Sequence, residues 1–113
     1  MAKALFLIMS GKENPARADL GIIMAARSVK AKRYDDLKVM FYGPSEEYLA
    51  QLSGTALEHF NILMENKAVD SACVAIAKNS GVDKKLEEMG VSLMPAGERL
   101  AYYVNNGYSV VTF

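Results

Sequence analysis

Residues Ala4-Leu5-Phe6-Leu7-Ile8-Met9 are apolar without interruption, and this constrains the fold more than any other feature of the chain. A strand with no polar alternation has no face to offer water, so helices must cover it on both sides. The polar stretch Ser10 to Asn14 follows. Asn14 then Pro15 give an N-cap and a proline at the first helical position, where its missing N–H costs nothing. The spacing predicts a helix running to about Lys32, with Ala18, Ile22, Ala25 and Val29 on its apolar side.

The alternation continues. Leu37 to Tyr42 reads as a second strand, Gly43-Pro44-Ser45 as a turn into a short helix with Tyr48, Leu49 and Leu52, and Ser53-Gly54 as its stop. Thr55 and Glu58 have capping-box spacing at the head of a helix carrying Leu57, Phe60, Leu63 and Met64. Val69 to Val74 is the third strand, Asp83 to Met89 a polar helical turn, and Val91 to Met94 a short fourth strand. Pro95 opens a last helix that Gly107 ends, and Tyr108 to Phe113 is a fifth strand. Parallel neighbours need crossover helices, so the pattern predicts an α/β domain over residues 1–113. It has three layers, α/β/α, with a mainly parallel five-stranded sheet.

At 113 residues, 51% of them hydrophobic, the chain is long enough to bury a core without disulfides or metal. Formal net charge is zero, with 13 basic and 13 acidic residues, so the electrostatic footprint of a nucleic-acid binder is missing. Lys30, Lys32 and Arg33 read instead as the solvated last turn of a helix. The opening apolar run is too short for a signal peptide and lacks a small-residue cleavage site. No stretch approaches the length of a membrane span. These features set the expectation of a cytoplasmic protein without membrane or direct nucleic-acid contacts.

The chain has one cysteine, Cys73, which can close no internal disulfide. It stands where Val69-Asp70-Ser71-Ala72-Cys73-Val74 gives way to the helix-compatible Ala75-Ile76-Ala77-Lys78. A thiol between a strand end and a helix amino terminus gains from unpaired backbone N–H groups, which favour the thiolate. A free cysteine is also among the most buried residue types, so inert packing is the opposing reading. Ligand crevices in open parallel sheets form beyond the strands' carboxyl ends. Ser10 to Asn14, Gly43 to Ser45 and the segment from Cys73 all converge on that edge. Ser10, Gly11 and Lys12 are placed to bring backbone donors and one cation toward the sulfur, with Asn14 as a further polar group.

Other constellations are less specific. Gly11-Lys12 lacks the earlier glycine and the following hydroxyl of a phosphate loop, and Glu13 would repel phosphate. His59 alone with one distant cysteine makes neither a zinc site nor a protease pair. The chain therefore suggests no metal and no cofactor. The acidic pairs Asp35-Asp36, Glu46-Glu47 and Glu87-Glu88 read as solvated faces. Tyr102, Tyr103, Tyr108 and Phe113 suit either a local core or a subunit interface.

The segment Cys73-Val74-Ala75-Ile76-Ala77-Lys78-Asn79-Ser80-Gly81-Val82 resembles the cysteine segment of the DsrE/DsrF-like sulfur-relay proteins. Leu86, Gly90-Val91, Pro95-Ala96-Gly97, Leu100 and Gly107 to Phe113 extend the resemblance, as do Gly43-Pro44 and the opening strand. The resemblance implies a small cytoplasmic α/β/α protein assembling as a homotrimer or homohexamer. It also implies that Cys73 accepts sulfane sulfur from a donor protein as a persulfide and passes it to an acceptor thiol. The chain departs from the family at Asn79-Ser80, where relay members often carry basic residues. The alternative class is a noncatalytic oligomeric module that binds a small ligand or protein, with Cys73 structural.

Overall fold

The apolar run forms β1, Lys3–Ile8, an interior strand of a five-stranded sheet in the computed structural model, which describes residues 2–113. The chain continues through α1 (Pro15–Lys30), β2 (Asp36–Phe41), α2 (Ser45–Ala50), α3 (Gly54–Glu65) and β3 (Val69–Cys73). It ends through α4 (Val74–Asn79), α5 (Asp83–Glu88), β4 (Leu93–Met94), α6 (Ala96–Asn105) and β5 (Tyr108–Thr112). Strand order is β4-β3-β2-β1-β5, and every neighbouring pair is parallel.

That order explains why the two helical layers are unequal. The strands β1 to β4 march in one direction across the sheet, and right-handed crossovers in one direction place their helices on one face. Ala4, Phe6 and Ile8 of β1 and Leu37, Val39 and Phe41 of β2 point to that face and join Ile22, Leu49, Phe60, Ala77 and Leu86 from α1 to α5 in the main core. The return from β4 to β5 runs the other way, so α6 alone covers the opposite face. There Leu5, Leu7 and Met40 meet Tyr103 and Leu100.

A register shift between Val39 and Met40 opposes them to Val69 and Ser71, leaving Asp70 as the extra residue of a bulge. Bulges re-aim side chains, and this one brings Asp70 to α6. Its carboxylate accepts from Arg99 at 2.7 and 3.1 Å, from the Tyr103 hydroxyl at 2.6 Å and from Ser71 at 2.8 Å. Burial pushes the Asp70 carboxyl up, but the bonds from Arg99, Tyr103 and Ser71 outweigh it and hold it below the usual carboxylate range. This cluster anchors α6 to the sheet.

Local details depart from the sequence reading. The α1 helix stops at Lys30, because Lys32 takes a left-handed backbone (φ +52°) and turns the chain. No capping box forms at Thr55 and Glu58: the helix already begins at Gly54, so Thr55 lies inside its first turn and Ser53 caps without a side-chain bond. Val91 is buried in the core, but only Leu93 and Met94 reach ladder pairing with β3. The turn at Asn106-Gly107 ends α6 as expected, with Gly107 at φ +81°.

Candidate functional site

The carboxyl ends of β1, β2 and β3 bring together the three segments expected there. Ile8 carbonyl accepts from the Ser45 hydroxyl at 2.6 Å and the Tyr42 N–H at 3.1 Å, while the Met9 carbonyl accepts from the Ser45 N–H at 3.0 Å. The β1–α1 loop lies directly on the β2–α2 turn. A Cβ on Gly11 would stand 2.3 Å from the Pro44 carbonyl oxygen, so only glycine permits this approach.

The donors that sequence reading directed at the sulfur have other duties. Gly11 N–H donates to the Glu13 carboxylate at 2.6 Å, and Ser10 N–H to the Phe113 carbonyl at 3.2 Å. Asn14 caps α1, its side-chain oxygen accepting from Arg17 N–H at 3.3 Å. These backbone groups are consumed in shaping the loop. Lys12 remains at the surface, in a cleft of about 410 Å³ that it shares with Glu13, Gly43, Pro44, Glu47, Ile76 and Ser80. On the α6 face a smaller apolar hollow of about 170 Å³ lies among Leu7, Met9, Met40, Tyr42, Ala96, Gly97 and Leu100.

Cys73 ends β3 and caps α4, with extended backbone and no side-chain capping bond. It pairs with Met94 across the ladder, and its neighbour Ala72 packs in the main core, so strand alternation turns Cys73 toward the α6 face. The residue is 7% exposed in the single chain. The α4 helix spans only six residues, so its dipole is a small contribution beside the local peptide N–H groups.

Glu46 is the residue that sequence reasoning missed. Placed with Glu47 on a solvated face, it is instead fully buried, while Glu47 is exposed. One carboxylate oxygen, Oε2, accepts from Gly43 N–H at 3.2 Å, and the Gly43 carbonyl receives Glu46 N–H at 3.0 Å. The other, Oε1, has no hydrogen-bond partner. Burial pushes the carboxyl up to about 7, against the opposing pull of the Gly43 and Cys73 backbone N–H groups. Glu46 thus stands beside the Cys73 peptide. The signal lay in Gly43-Pro44-Ser45-Glu46: a glutamate three positions into a turn-to-helix junction has the spacing to reach back to the first N–H.

His59 takes no part in this edge. It sits half-buried on α3, with Nδ1 2.8 Å from the Thr55 carbonyl. Among the described residues no three His, Cys, Asp or Glu side chains gather as a metal site requires. Asp36 is half-buried and receives the Tyr108 hydroxyl, a second departure from the solvated-face reading. Tyr103 is a core residue, whereas Tyr102 is 50% exposed. None of the helices among the described residues is long and apolar enough to cross a membrane.

No protein-family model matches the chain, and no curated protein matches it in sequence. Its fold is similar to that of a conserved protein of unknown function from Bacteroides thetaiotaomicron. The two superpose with a TM-score of 0.80 at 16% identity, over 98% of this chain and 94% of that one. At that identity the likeness is one of fold.

Proposed function

We propose that the protein is a cytoplasmic sulfane-sulfur carrier working through Cys73. The observation that carries this reading is the placement of the chain's one thiol at the carboxyl edge of the sheet, without a hydrogen bond from its side chain to the helix it caps. The resemblance of the surrounding segment to the sulfur-relay family supports it. In the proposed step the Cys73 thiolate attacks the outer sulfur of a donor persulfide R–S–SH. The new Sγ–S bond forms as the donor S–S bond breaks, and R–S⁻ leaves to be protonated. With no second cysteine to resolve Cys73–S–SH, the sulfur passes to a thiol on another molecule.

Intact-mass measurement after incubation with a persulfide donor tests the proposal. The reduced protein gains one sulfur, and Cys73→Ser gains none. A protein that gains no sulfur, or a gain that survives Cys73→Ser, refutes it.

The burial of Cys73 favours a second reading, an oligomeric module that binds a ligand or protein noncatalytically, with Cys73 as packing. Alkylation of the native protein separates the two: a carrier thiol labels rapidly below neutral pH, and a packed one slowly. Both readings include assembly as a homotrimer or homohexamer, which light scattering measures.

A further inference from the structure

The two edges of the sheet are protected unequally. At one, β4 is two residues long and is followed by Pro95, which leaves little backbone open to pairing. At the other, β5 runs through Tyr108-Ser109-Val110-Val111-Thr112 with no charge and no proline, and Val110, Val111 and Thr112 are β-branched. Its one strand neighbour among the described residues is β1. Phe113 turns both of its backbone groups to β1, its N–H donating to the Leu7 carbonyl at 2.9 Å and its carbonyl accepting from Met9 N–H at 2.8 Å. In a parallel ladder such residues alternate with ones whose groups point away. Tyr108, Val110 and Thr112 therefore aim their N–H and C=O groups outward.

The helices on either side of this edge carry apolar shoulders. Phe113 packs on Phe6 in the main core, so alternation puts Val111 on the α1 face and Val110 on the α6 face. On α1, Gly21 lies against Phe113, where an added Cβ would come to 2.9 Å, and Leu20 and Met24 stand beside it on the solvent side of the helix. On α6, Arg99 reaches toward β3 to hold Asp70, and Tyr103 faces the sheet. Val104 lies about 140° around the helix from Arg99, on the flank toward β5. Leu20, Met24, Val104, Val110 and Val111 are between 38% and 60% exposed, and among the described residues only Tyr42 and Tyr102 join them as exposed large hydrophobics. Their open area is on the order of 500 Å², the size at which an apolar patch marks an interaction surface. With the strand's own backbone it approaches the roughly 800 Å² that each partner gives to a stable interface.

We propose that β5 is an interface between two copies of this chain, which pair antiparallel about a two-fold axis at Val110 and continue the sheet to ten strands. The strand is its own complement. With Val110 opposite the partner's Val110, and Tyr108 opposite the partner's Thr112, every outward N–H meets an outward carbonyl. No like charges face each other along the strand, because it has none. Lys3, which pairs with Tyr108 from β1, is turned onto the Asn106 carbonyl of its own chain at 3.0 Å. The axis stands normal to the sheet, so each helical layer meets its own copy: Leu20, Met24 and Val111 close on one face, Val104 and Val110 on the other. This coverage selects the occupant. A lone peptide strand would satisfy the backbone of β5 and leave both helical shoulders open, whereas a second copy brings the matching shoulders with it. Pairing through β5 holds whichever role Cys73 has. Of the trimer and the hexamer, only the hexamer supplies two-fold axes.

Sedimentation equilibrium at micromolar chain concentration tests the interface. Wild type is expected as an even assembly, a dimer or a hexamer. Val110→Lys sets two ammonium groups against each other at the axis and is expected to halve the mass. A wild-type monomer or trimer overturns the proposal, and so does a mass that Val110→Lys leaves unchanged. Introduced cysteines read the register and remain decisive if the lysine variant fails to fold. In a Cys73→Ser background, Val110→Cys places two thiols across a hydrogen-bonded pair with Cα atoms about 5.5 Å apart, within disulfide reach. Thr112→Cys places them about 14 Å apart, four residues along the paired strands. Mild oxidation is expected to link the first variant into a covalent dimer and to leave the second unlinked. No link at position 110, or equal linking at both positions, overturns the two-fold pairing.

Discussion

Replacing Glu46 by Gln alters folding stability in a way that depends on pH, and the sign follows from the structure. Burial raises the carboxyl from its ordinary 4.5 to about 7, so the native state holds this proton more tightly than the unfolded chain. Stability is therefore greatest below the ordinary carboxylate range and declines as pH climbs through 7. At about 1.4 kcal/mol per unit the full penalty is roughly 3 kcal/mol, of which roughly 2 develops between pH 5 and pH 8. Glutamine keeps an oxygen for Gly43 N–H and places an amide where Oε1 now has no partner. That substitution carries a fixed cost of about 1 to 3 kcal/mol for a buried donor, the same at every pH. The informative quantity is thus the difference between pH values. Measured by thermal melts at pH 5 and pH 8, Glu46→Gln gains on wild type by roughly 2 kcal/mol across that interval, or roughly 8 °C in Tm for a domain of this size. An offset from wild type that is the same at both pH values would refute the assignment of a strained, proton-holding carboxyl to Glu46.

Three further substitutions probe the frame around the site. Gly11→Ala drives a methyl to 2.3 Å from the Pro44 carbonyl oxygen, which is backbone and cannot swing aside, and is expected to lower stability in urea titrations by about 2 to 3 kcal/mol. Asp70→Asn takes the charge from beneath Arg99, and chemical denaturation near neutral pH should register a loss of about 2 kcal/mol. Since the folded Asp70 carboxyl lies below its ordinary 3.8, its contribution is present above that value and fades as pH falls through the lower folded one. Acid titration of the Asn variant should lack that part of the decline. Ser45→Ala removes the 2.6 Å bond to the Ile8 carbonyl, which retains Tyr42 N–H, so a loss of only about 1 kcal/mol is expected by calorimetry.

The order of strands and helices was legible in the sequence because it rests on local chemistry. An apolar run without alternation has to be a covered strand, Asn14-Pro15 has to open a helix, and Gly107 supplies a backbone that ends one. The position of Cys73 at the edge of the sheet followed from the same grammar. The sequence did not tell which of two adjacent glutamates is buried, since Glu46 and Glu47 differ by about a hundred degrees around a helix whose orientation only packing fixes. Nor did it reveal that Asp70 is the extra residue of a bulge, because a register shift belongs to a pair of strands and not to either one. The loop donors at Ser10 and Gly11 were counted as free while their partners, Phe113 and Glu13, were unknown. Strand identity is set by neighbours in the chain, whereas burial, bond partners and proton affinity are set by neighbours in space. That is why the sequence determined the architecture and the tertiary structure alone placed a buried acid beside the cysteine.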